Sequence, residues 1–144
     1  YDKVIVPNFT MIASPNSVRL IGAEPVLVDV EEDTLCLDIN KTEELIKNDK
    51  SIKAVMHVSL NTRCNDIERL VEVCKKYNVR LLEDSAQSLG SFYNGKHLGT
   101  FGEIGSFSFS APKIISTGQG GALVTNSKTL SDKIWQIKNC FTSL

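Results

Sequence analysis

The sequence predicts an α/β domain with three layers, in which a mostly parallel β-sheet carries helices on both faces. Short apolar runs typical of strands alternate with amphipathic helical segments along most of the chain. One run, residues 79–84 (VRLLED), is almost continuously apolar, as expected for a strand covered on both faces. The hairpin-turn dipeptide Asn94-Gly95 occurs later, so we expect some antiparallel pairing in the last third of the chain.

The first strand and helix are predicted by an apolar run followed by helix-start and helix-stop residues. Residues 3–7 (KVIVP) have the composition of a short buried strand. Ser14 then fits the N-cap of a helix, Pro15 its first helical position and Gly22 its end. The pattern therefore predicts a strand, a short helix and a return to the sheet.

The longest predicted helix in the first half of the chain covers residues 65–78. Asn65 and Glu68 fit a capping box at its start. Its apolar side chains recur at helical spacing on one face, and they are Ile67, Leu70, Val71, Cys74 and Tyr77. The other predicted elements are helices at residues 40–48 and 129–139 and strands at residues 25–30, 52–60, 106–110 and 120–126.

Composition excludes several classes of function. The 144 residues have a formal net charge of -1 and no block of like charge, which argues against nucleic acid as a partner. No apolar run is long enough to span a membrane, and we expect a soluble, cytoplasmic protein. The 4 cysteines show no CxxC spacing, and with only His57 and His97 available they form no zinc pattern, so free thiols and no metal are expected.

Two chemically important side chains follow predicted strands. Asp84 ends the strand at residues 79–84, and Lys113 lies just beyond the strand at residues 106–110. Each has an ordinary explanation, because Asp84 with Gln87 fits a capping box and a lone lysine is usually a solvated surface residue. In open α/β sheets, however, ligands bind at the carboxyl ends of the strands. An aspartate and a lysine at neighbouring strand ends are the pair that pyridoxal phosphate (PLP) requires.

The chemistry of PLP explains this requirement. A lysine amine holds the cofactor aldehyde as a Schiff base, and a carboxylate keeps the pyridine nitrogen protonated so that the ring accepts electrons. The phosphate needs hydroxyl and backbone N–H donors. The hydroxyl residues near Lys113 are Ser106, Ser108, Ser110, Ser116 and Thr117, and the glycines that permit close backbone approach are Gly118, Gly120 and Gly121.

Other motifs in the same region fit less well. Ser110 and Lys113 form an S-x-x-K pair, as in penicillin-binding proteins and class A β-lactamases, but that motif needs a helix through the lysine, and Pro112 with Ile114 and Ile115 disfavours one. Gly99, Gly102 and Gly105 match no nucleotide-binding loop and are expected to be turn residues. The two histidines are expected to be structural or exposed.

Three segments together resemble the PLP-dependent sugar aminotransferases of the DegT/DnrJ/EryC1/StrS family. They are residues 4–30 (VIVPNFTMIASPNSVRLIGAEPVLVDV), 79–91 (VRLLEDSAQSLGS) and 99–126 (GTFGEIGSFSFSAPKIISTGQGGALVTN). The resemblance covers nearly the whole chain, with the motifs in the family's order and at its spacing. It implies the large domain of the PLP-dependent type I aminotransferase fold.

The resemblance also implies roles for five residues. Lys113 matches the Schiff-base lysine and Asp84 the partner of the pyridine nitrogen. Gln87 matches a polar residue that contacts the cofactor, and Ser108 matches the serine that binds its phosphate. Met11 falls where the family packs a residue, often aromatic, against the cofactor ring. Relatives that carry histidine in place of the lysine act as dehydratases, so Lys113 argues against that branch.

This chain departs from the family in places and in extent. It has Gln119 in a usual GEGG motif and Ser59 where a histidine is common. From the resemblance we expect residues 1–144 to be a single partial domain, the central part of the large domain, without the upstream phosphate-binding segment or the C-terminal small domain. The resemblance implies that the intact protein is a homodimer that transfers an amino group from glutamate to a nucleotide-linked keto sugar, namely a 4-keto-6-deoxy sugar. A sugar dehydratase, an amino-acid synthase of the same fold, and an inactive fragment or binding module remain alternatives.

Overall fold

The computed structural model describes residues 1–142, with side chains described as far as residue 140. Ser143 and Leu144, the last residues of the predicted domain, lie outside the described residues. The strands are β1 (Lys3–Pro7), β2 (Glu24–Val28), β3 (Ile52–Val58), β4 (Arg80–Asp84), β5 (Phe92–Tyr93), β6 (Lys96–His97), β7 (Ile104–Ser108) and β8 (Gly121–Val124). The helices are α1 (Ala13–Leu20), α2 (Ile39–Asn48), α3 (Ile67–Lys76) and α4 (Lys128–Thr142), and a single 3-10 turn covers Leu60–Thr62.

Six strands form one sheet in the order β2-β1-β3-β4-β7-β8. The first five in this order run parallel, and β8 pairs antiparallel with β7. This architecture confirms the predicted mostly parallel α/β fold with antiparallel pairing late in the chain. The hairpin at Asn94-Gly95 also forms, with φ angles of 47° and 77°, but β5 and β6 make a separate two-stranded sheet. Within residues 1–142, no helix has both the length and the apolar composition needed to cross a bilayer.

Helices cover both faces of the sheet, because alternate residues of each strand point in opposite directions. Val6 packs with Val18 of α1 in one apolar cluster. Ile5, its neighbour in β1, packs in a second cluster with Ile46 of α2 and Leu70 of α3. The sheet is therefore the middle of three layers, with α1 on one side and α2 and α3 on the other.

The structure corrects the predicted start of α1. The helix begins at Ala13, one residue before the predicted N-cap, and Ile12 occupies the cap position without a side-chain hydrogen bond. Ser14 is buried, and its hydroxyl donates to the Asp84 carboxylate instead of capping its own helix. The predicted end is confirmed, since α1 stops at Leu20 and Gly22 follows with a φ of 77°.

The predicted capping box of α3 is also wrong. The N-cap is Asp66, whose carboxylate accepts from the backbone N–H of Arg69. Asn65 is buried, and its amide donates to the carbonyl of Leu37 and bonds to the ring of His57. The Asn65 side chain is therefore used in hydrogen bonds to residues distant in sequence, and Asp66 caps the helix instead.

Glu83 fastens the segment between β6 and β7 to the sheet. Its side chain is buried, and its two carboxylate oxygens accept from the backbone N–H groups of Gly99 and Gly102, each at 2.6 Å. Burial raises the pKa of this carboxyl group, and the backbone donors oppose that rise. Of the three glycines predicted to be turn residues, Gly99 has the positive φ of a turn, whereas Gly105 lies inside β7 against the backbone of Gly99.

Replacing Gly105 by alanine should destabilise the fold strongly. The added Cβ would lie 1.9 Å from the carbonyl oxygen of Gly99, so backbone would have to move. We expect the free energy of unfolding to fall by about 3 kcal/mol. Gly22→Ala is the matched control: its Cβ would enter open space, and the φ of 77° alone should cost about 1 kcal/mol. Urea denaturation of both variants measures the difference, and equal losses would contradict the close-packing explanation.

Candidate active site

A cavity of about 550 Å³ lies where the carboxyl ends of β3, β4 and β7 meet the start of α1. Its volume is in the range of small-molecule sites. It is lined by all five residues to which the sequence assigns a cofactor role, namely Met11, Asp84, Gln87, Ser108 and Lys113. The structure thus brings together side chains that span the sequence from Met11 to Lys113.

Strand pairing explains why the aspartate and the lysine meet. Asp84 is the last residue of β4 and lies opposite Ser106 of β7, and the pairing continues through the Ser85 N–H, which donates to the Ser106 carbonyl at 2.9 Å. Because the strands are parallel, both chains leave the sheet at the same edge. The loop that follows β7 carries Lys113 back over this edge.

Lys113 lies in a turn rather than in a helix. Its backbone N–H donates to the carbonyl of Ser110 at 3.1 Å, and the loop is closed where the Phe109 N–H donates to Gly120 and the Phe109 carbonyl accepts from Thr117. The S-x-x-K motif therefore lacks the helix that serine–lysine chemistry requires, as predicted. The lysine is partly buried and lines the cavity.

The hydroxyl residues around the lysine divide into two groups. Ser106, Ser108 and Ser110 line the cavity, and the hydroxyls of Ser108 and Ser110 are 3.1 Å apart. Ser116 and Thr117 use their hydroxyls within the loop: the Ser116 hydroxyl accepts from the Gly118 N–H, and the Thr117 hydroxyl donates to the Gln119 carbonyl. Of these hydroxyls, only that of Ser108 is implied by the family resemblance to bind the phosphate, and Ser108 lines the cavity.

Two donors hold the Asp84 carboxylate. The Ser14 hydroxyl donates to Oδ2 at 2.7 Å, and the Ala86 N–H donates to Oδ1 at 3.2 Å. The alternative capping box with Gln87 does not form, because the Gln87 amide oxygen accepts from the backbone N–H of Asn61 at 2.7 Å. A backbone N–H can only donate, so this contact identifies the amide oxygen and leaves the amide NH₂ group to meet an acceptor.

The remaining lining gives the cavity a largely apolar floor and a polar edge. Met56, Leu82 and Ile104 lie on adjacent strands, and Met11 stands at the rim with 64% of its surface exposed. Ser59 also lines the cavity, and its buried hydroxyl has no hydrogen-bond partner among the described residues. An amine, a carboxylate, an amide, hydroxyls and an apolar floor are the groups that fit a flat heteroaromatic ring bearing an aldehyde and a phosphate.

The histidines lie elsewhere. His57 is fully buried, its Nε2 lies 3.1 Å from the Asn65 amide oxygen, and burial lowers its pKa to about 4. His97 belongs to the β5–β6 hairpin and accepts from the backbone N–H of Gly90. Both contacts are structural, in agreement with the sequence-based expectation.

The cysteines of the chain are unpaired. Cys36 and Cys74 are buried, Cys64 is partly buried and Cys140 is exposed. Burial raises the pKa of the Cys64 and Cys74 thiols to about 12, which keeps them protonated and unreactive near neutral pH. This matches the prediction of free thiols.

Sequence reasoning missed the contribution of Thr10, which precedes α1, and of Ser14 within α1 to the site. Thr10 and Ser14 both line the cavity, and Ser14 contacts Asp84 directly. The signal was present, because Ser14 and Val18 are spaced to share one helix face, and that face is the buried one. A serine in the apolar stripe of a short helix indicates a buried polar partner as readily as an N-cap.

Comparison with known proteins identifies clear relatives. The sequence profile of the DegT/DnrJ/EryC1/StrS aminotransferase family matches residues 1–143. The chain is 44% identical over 137 residues to the GDP-perosamine synthase of Escherichia coli O157:H7, an alignment that covers 95% of this chain and 37% of that protein. The chain thus spans little more than a third of the length of this relative.

Two solved structures are also similar. One is DesI in the presence of its TDP-sugar product, with 33% identity and a TM-score of 0.91 over 96% of this chain and 35% of that chain. The other is the E. coli GDP-4-keto-6-deoxy-D-mannose-3-dehydratase with bound hydrated PLP, with 31% identity and a TM-score of 0.81 over 88% of this chain and 32% of that chain.

The buried His57 should make the fold sensitive to acid. Its pKa falls from 6.5 to about 4 on folding, so the unfolded chain binds the proton more tightly. The stabilisation is complete above pH 6.5 and is lost between pH 6.5 and about 4, with a total of about 3 kcal/mol. Urea unfolding of the chain and of His57→Gln between pH 7.5 and 4 checks this. The variant should lose less stability on acidification than the original chain, and parallel curves would contradict the assignment.

Proposed function

The chain belongs to the DegT/DnrJ/EryC1/StrS aminotransferase family, and from this membership and its cavity we propose that the intact protein is a PLP-dependent sugar aminotransferase. The observation that carries the proposal is the meeting of Lys113 and Asp84 in one cavity at the carboxyl edge of the sheet. A lysine and an aspartate in this arrangement supply the amine and the carboxylate that PLP chemistry needs.

When bound, PLP supplies an aldehyde that accepts amines and a ring that accepts electrons. In our proposal Lys113 Nζ holds the cofactor at its aldehyde carbon, and Asp84 holds the proton on the ring nitrogen. Ser108 binds the phosphate, and the Gln87 amide NH₂ group donates a hydrogen bond to the cofactor. Met11 packs against the ring. Once free, the Lys113 amine takes and returns the proton at the α-carbon of the amino donor, as a general base and then a general acid.

We propose a nucleotide-linked keto sugar as the amino acceptor. The 44% identity with a GDP-perosamine synthase and the similarity to DesI, described with its TDP-sugar product, support this class of substrate. A 4-keto-6-deoxy sugar as acceptor, glutamate as donor, a homodimeric assembly and a cytoplasmic location complete the proposal and rest on the family resemblance.

The similarity to the E. coli dehydratase favours a second candidate, removal of a sugar hydroxyl by a related PLP enzyme. The presence of Lys113 favours amination, because relatives in this family that act as dehydratases carry histidine in place of this lysine. Mass spectrometry of the product from a GDP- or TDP-linked 4-keto-6-deoxy sugar distinguishes the two. An amino sugar supports the aminotransferase, and a deoxygenated sugar supports the dehydratase.

Replacing Lys113 by alanine in the intact protein should lower kcat by roughly a thousandfold or more, because the cofactor loses its covalent anchor and the donor its proton carrier. Borohydride reduction of the unaltered protein with PLP, followed by peptide mass spectrometry, should place the reduced adduct on Lys113. Lys133→Ala, an exposed lysine of α4, is the control and should retain turnover. Near-normal turnover of Lys113→Ala, or an adduct spread over several lysines, would refute the assignment.

A further inference from the structure

We propose that Ser14 is a positioning residue that fixes the orientation of the Asp84 carboxylate toward the ring nitrogen of the cofactor. The inference rests on the proposed function, because it assigns Ser14 a role in the same site. Nothing in the family resemblance pointed to this serine, which sequence patterns predict to be a helix cap.

The position of Ser14 in the fold is the first support. It is the second residue of α1 and is 3% exposed, although a serine in the first turn of a surface helix is normally hydrated. Val18, one turn later on the same face, is packed against the sheet. The same face of α1 therefore places an apolar side chain on the sheet and a hydroxyl at the end of β4.

The direction of the hydrogen bonds follows from the chemistry of the groups. An ionised carboxylate only accepts, so the single hydroxyl proton of Ser14 goes to Asp84 Oδ2 across 2.7 Å. The Thr10 hydroxyl lies 3.1 Å from the Ser14 hydroxyl, and it must then be the donor in that contact. The hydrogen bonds run in one direction, from Thr10 to Ser14 and from Ser14 to the Asp84 carboxylate as final acceptor, and such chains strengthen each bond by polarisation.

The contacts determine the plane of the carboxylate and leave room for a ligand. Oδ2 is held by α1 through Ser14, and Oδ1 is held by the turn after β4 through the Ala86 N–H. The Ser59 N–H donates to the Asp84 carbonyl, which fixes the backbone as well. Two oxygens offer about four acceptor sites, of which two are used, so the carboxylate can still accept a ring N–H from the cavity.

A purely structural role for Ser14 predicts no energetic coupling between residues 14 and 84, whereas a positioning role predicts that the two residues are coupled. If the hydroxyl only stabilised the start of α1, its removal would have the same effect whether or not residue 84 carried a charge. If it positions the carboxylate, its effect should disappear once the carboxylate is gone. A double-mutant cycle between residues 14 and 84 separates these two cases.

The experiment uses the intact protein and measures the dissociation constant of PLP by equilibrium dialysis, with kcat and KM for the amino donor as a second readout. We expect Ser14→Ala to weaken PLP binding and to lower kcat, each by about tenfold, with KM changed by less than about twofold. Ser14→Thr keeps a hydroxyl and should stay within about threefold of the unaltered protein. Asn16→Ala, an exposed residue of the same helix, is the matched control and should bind PLP normally.

In the Asp84→Ala background, which leaves Ser14 no side-chain acceptor at residue 84, Ser14→Ala should change the PLP dissociation constant by less than about twofold. Thr10→Val, which removes the first donor at nearly constant volume, should weaken PLP binding in the same direction by roughly threefold. This variant tests the inference independently if Ser14→Ala folds poorly.

The outcomes separate the two levels of inference. If Asp84→Asn abolishes turnover while Ser14→Ala and Thr10→Val bind PLP normally, the role of Ser14 is overturned and the proposed function stands. An equal effect of Ser14→Ala in both backgrounds would assign it a structural role and also overturn the inference. Near-normal PLP binding and turnover by Asp84→Asn would overturn the proposed function itself.

Discussion

The parallel pairing of β4 with β7 is the interaction on which the candidate site depends. It sets Asp84 opposite Ser106 and brings the loop that carries Lys113 to the same edge of the sheet. Side chains alternate between the faces of a strand, so a slip of one residue in β4 would turn Asp84 away from the cavity. The chemistry of the site is therefore tied to the register of two strands that lie about twenty residues apart in sequence.

The carboxylates of Glu83 and Asp84, which are adjacent in β4, point to opposite faces of the sheet. Asp84 faces the cavity and is held by Ser14, whereas Glu83 is buried and binds the backbone N–H groups of Gly99 and Gly102. The segment that Glu83 holds leads directly into β7. Burial raises the pKa of Glu83, and the backbone N–H groups of Gly102 and Gly99 oppose that rise. Glu83 thus secures the neighbouring strand against which Asp84 is aligned.

Local sequence patterns predicted the elements of this fold well and their polar contacts poorly. The bounds of β1 were correct, and the hairpin at Asn94-Gly95 formed, because both depend on residues close together in the chain. Ser14 and Asn65 were wrongly expected to cap helices. Each has a capping side chain, but each is used by a partner far away in sequence, Asp84 for the serine and Leu37 and His57 for the asparagine. A sequence pattern shows that a side chain can form a hydrogen bond, but it does not identify the partner.

The same distinction applies within the site. Met11, Asp84, Gln87, Ser108 and Lys113 were expected near one another because of strand ends and family resemblance, and they do line one cavity. Thr117 was noted only for its proximity to the lysine in sequence, and its hydroxyl donates to the Gln119 carbonyl within the loop. Position relative to a strand end predicted the site better than distance along the chain, because parallel strands make their ends neighbours whatever the length of the connection.

The distribution of polarity in the cavity completes the physical argument for a flat, polar-edged ligand. The floor formed by Met56, Leu82 and Ile104 can gain free energy by covering an aromatic face, but an apolar floor does not fix the orientation of a ring within its plane. Orientation has to come from the edge, where the Asp84 carboxylate and the Lys113 amine provide an acceptor and a nucleophile on different elements. Glu83 is held by the backbone N–H of Gly99, and the Asp84 carboxylate is held by the Ser14 hydroxyl. These hydrogen bonds fix the position of the Asp84 acceptor. The Lys113 amine, by contrast, stands at the end of an alkyl chain with several rotatable bonds, on a loop that also contains Gly118 and Gly120.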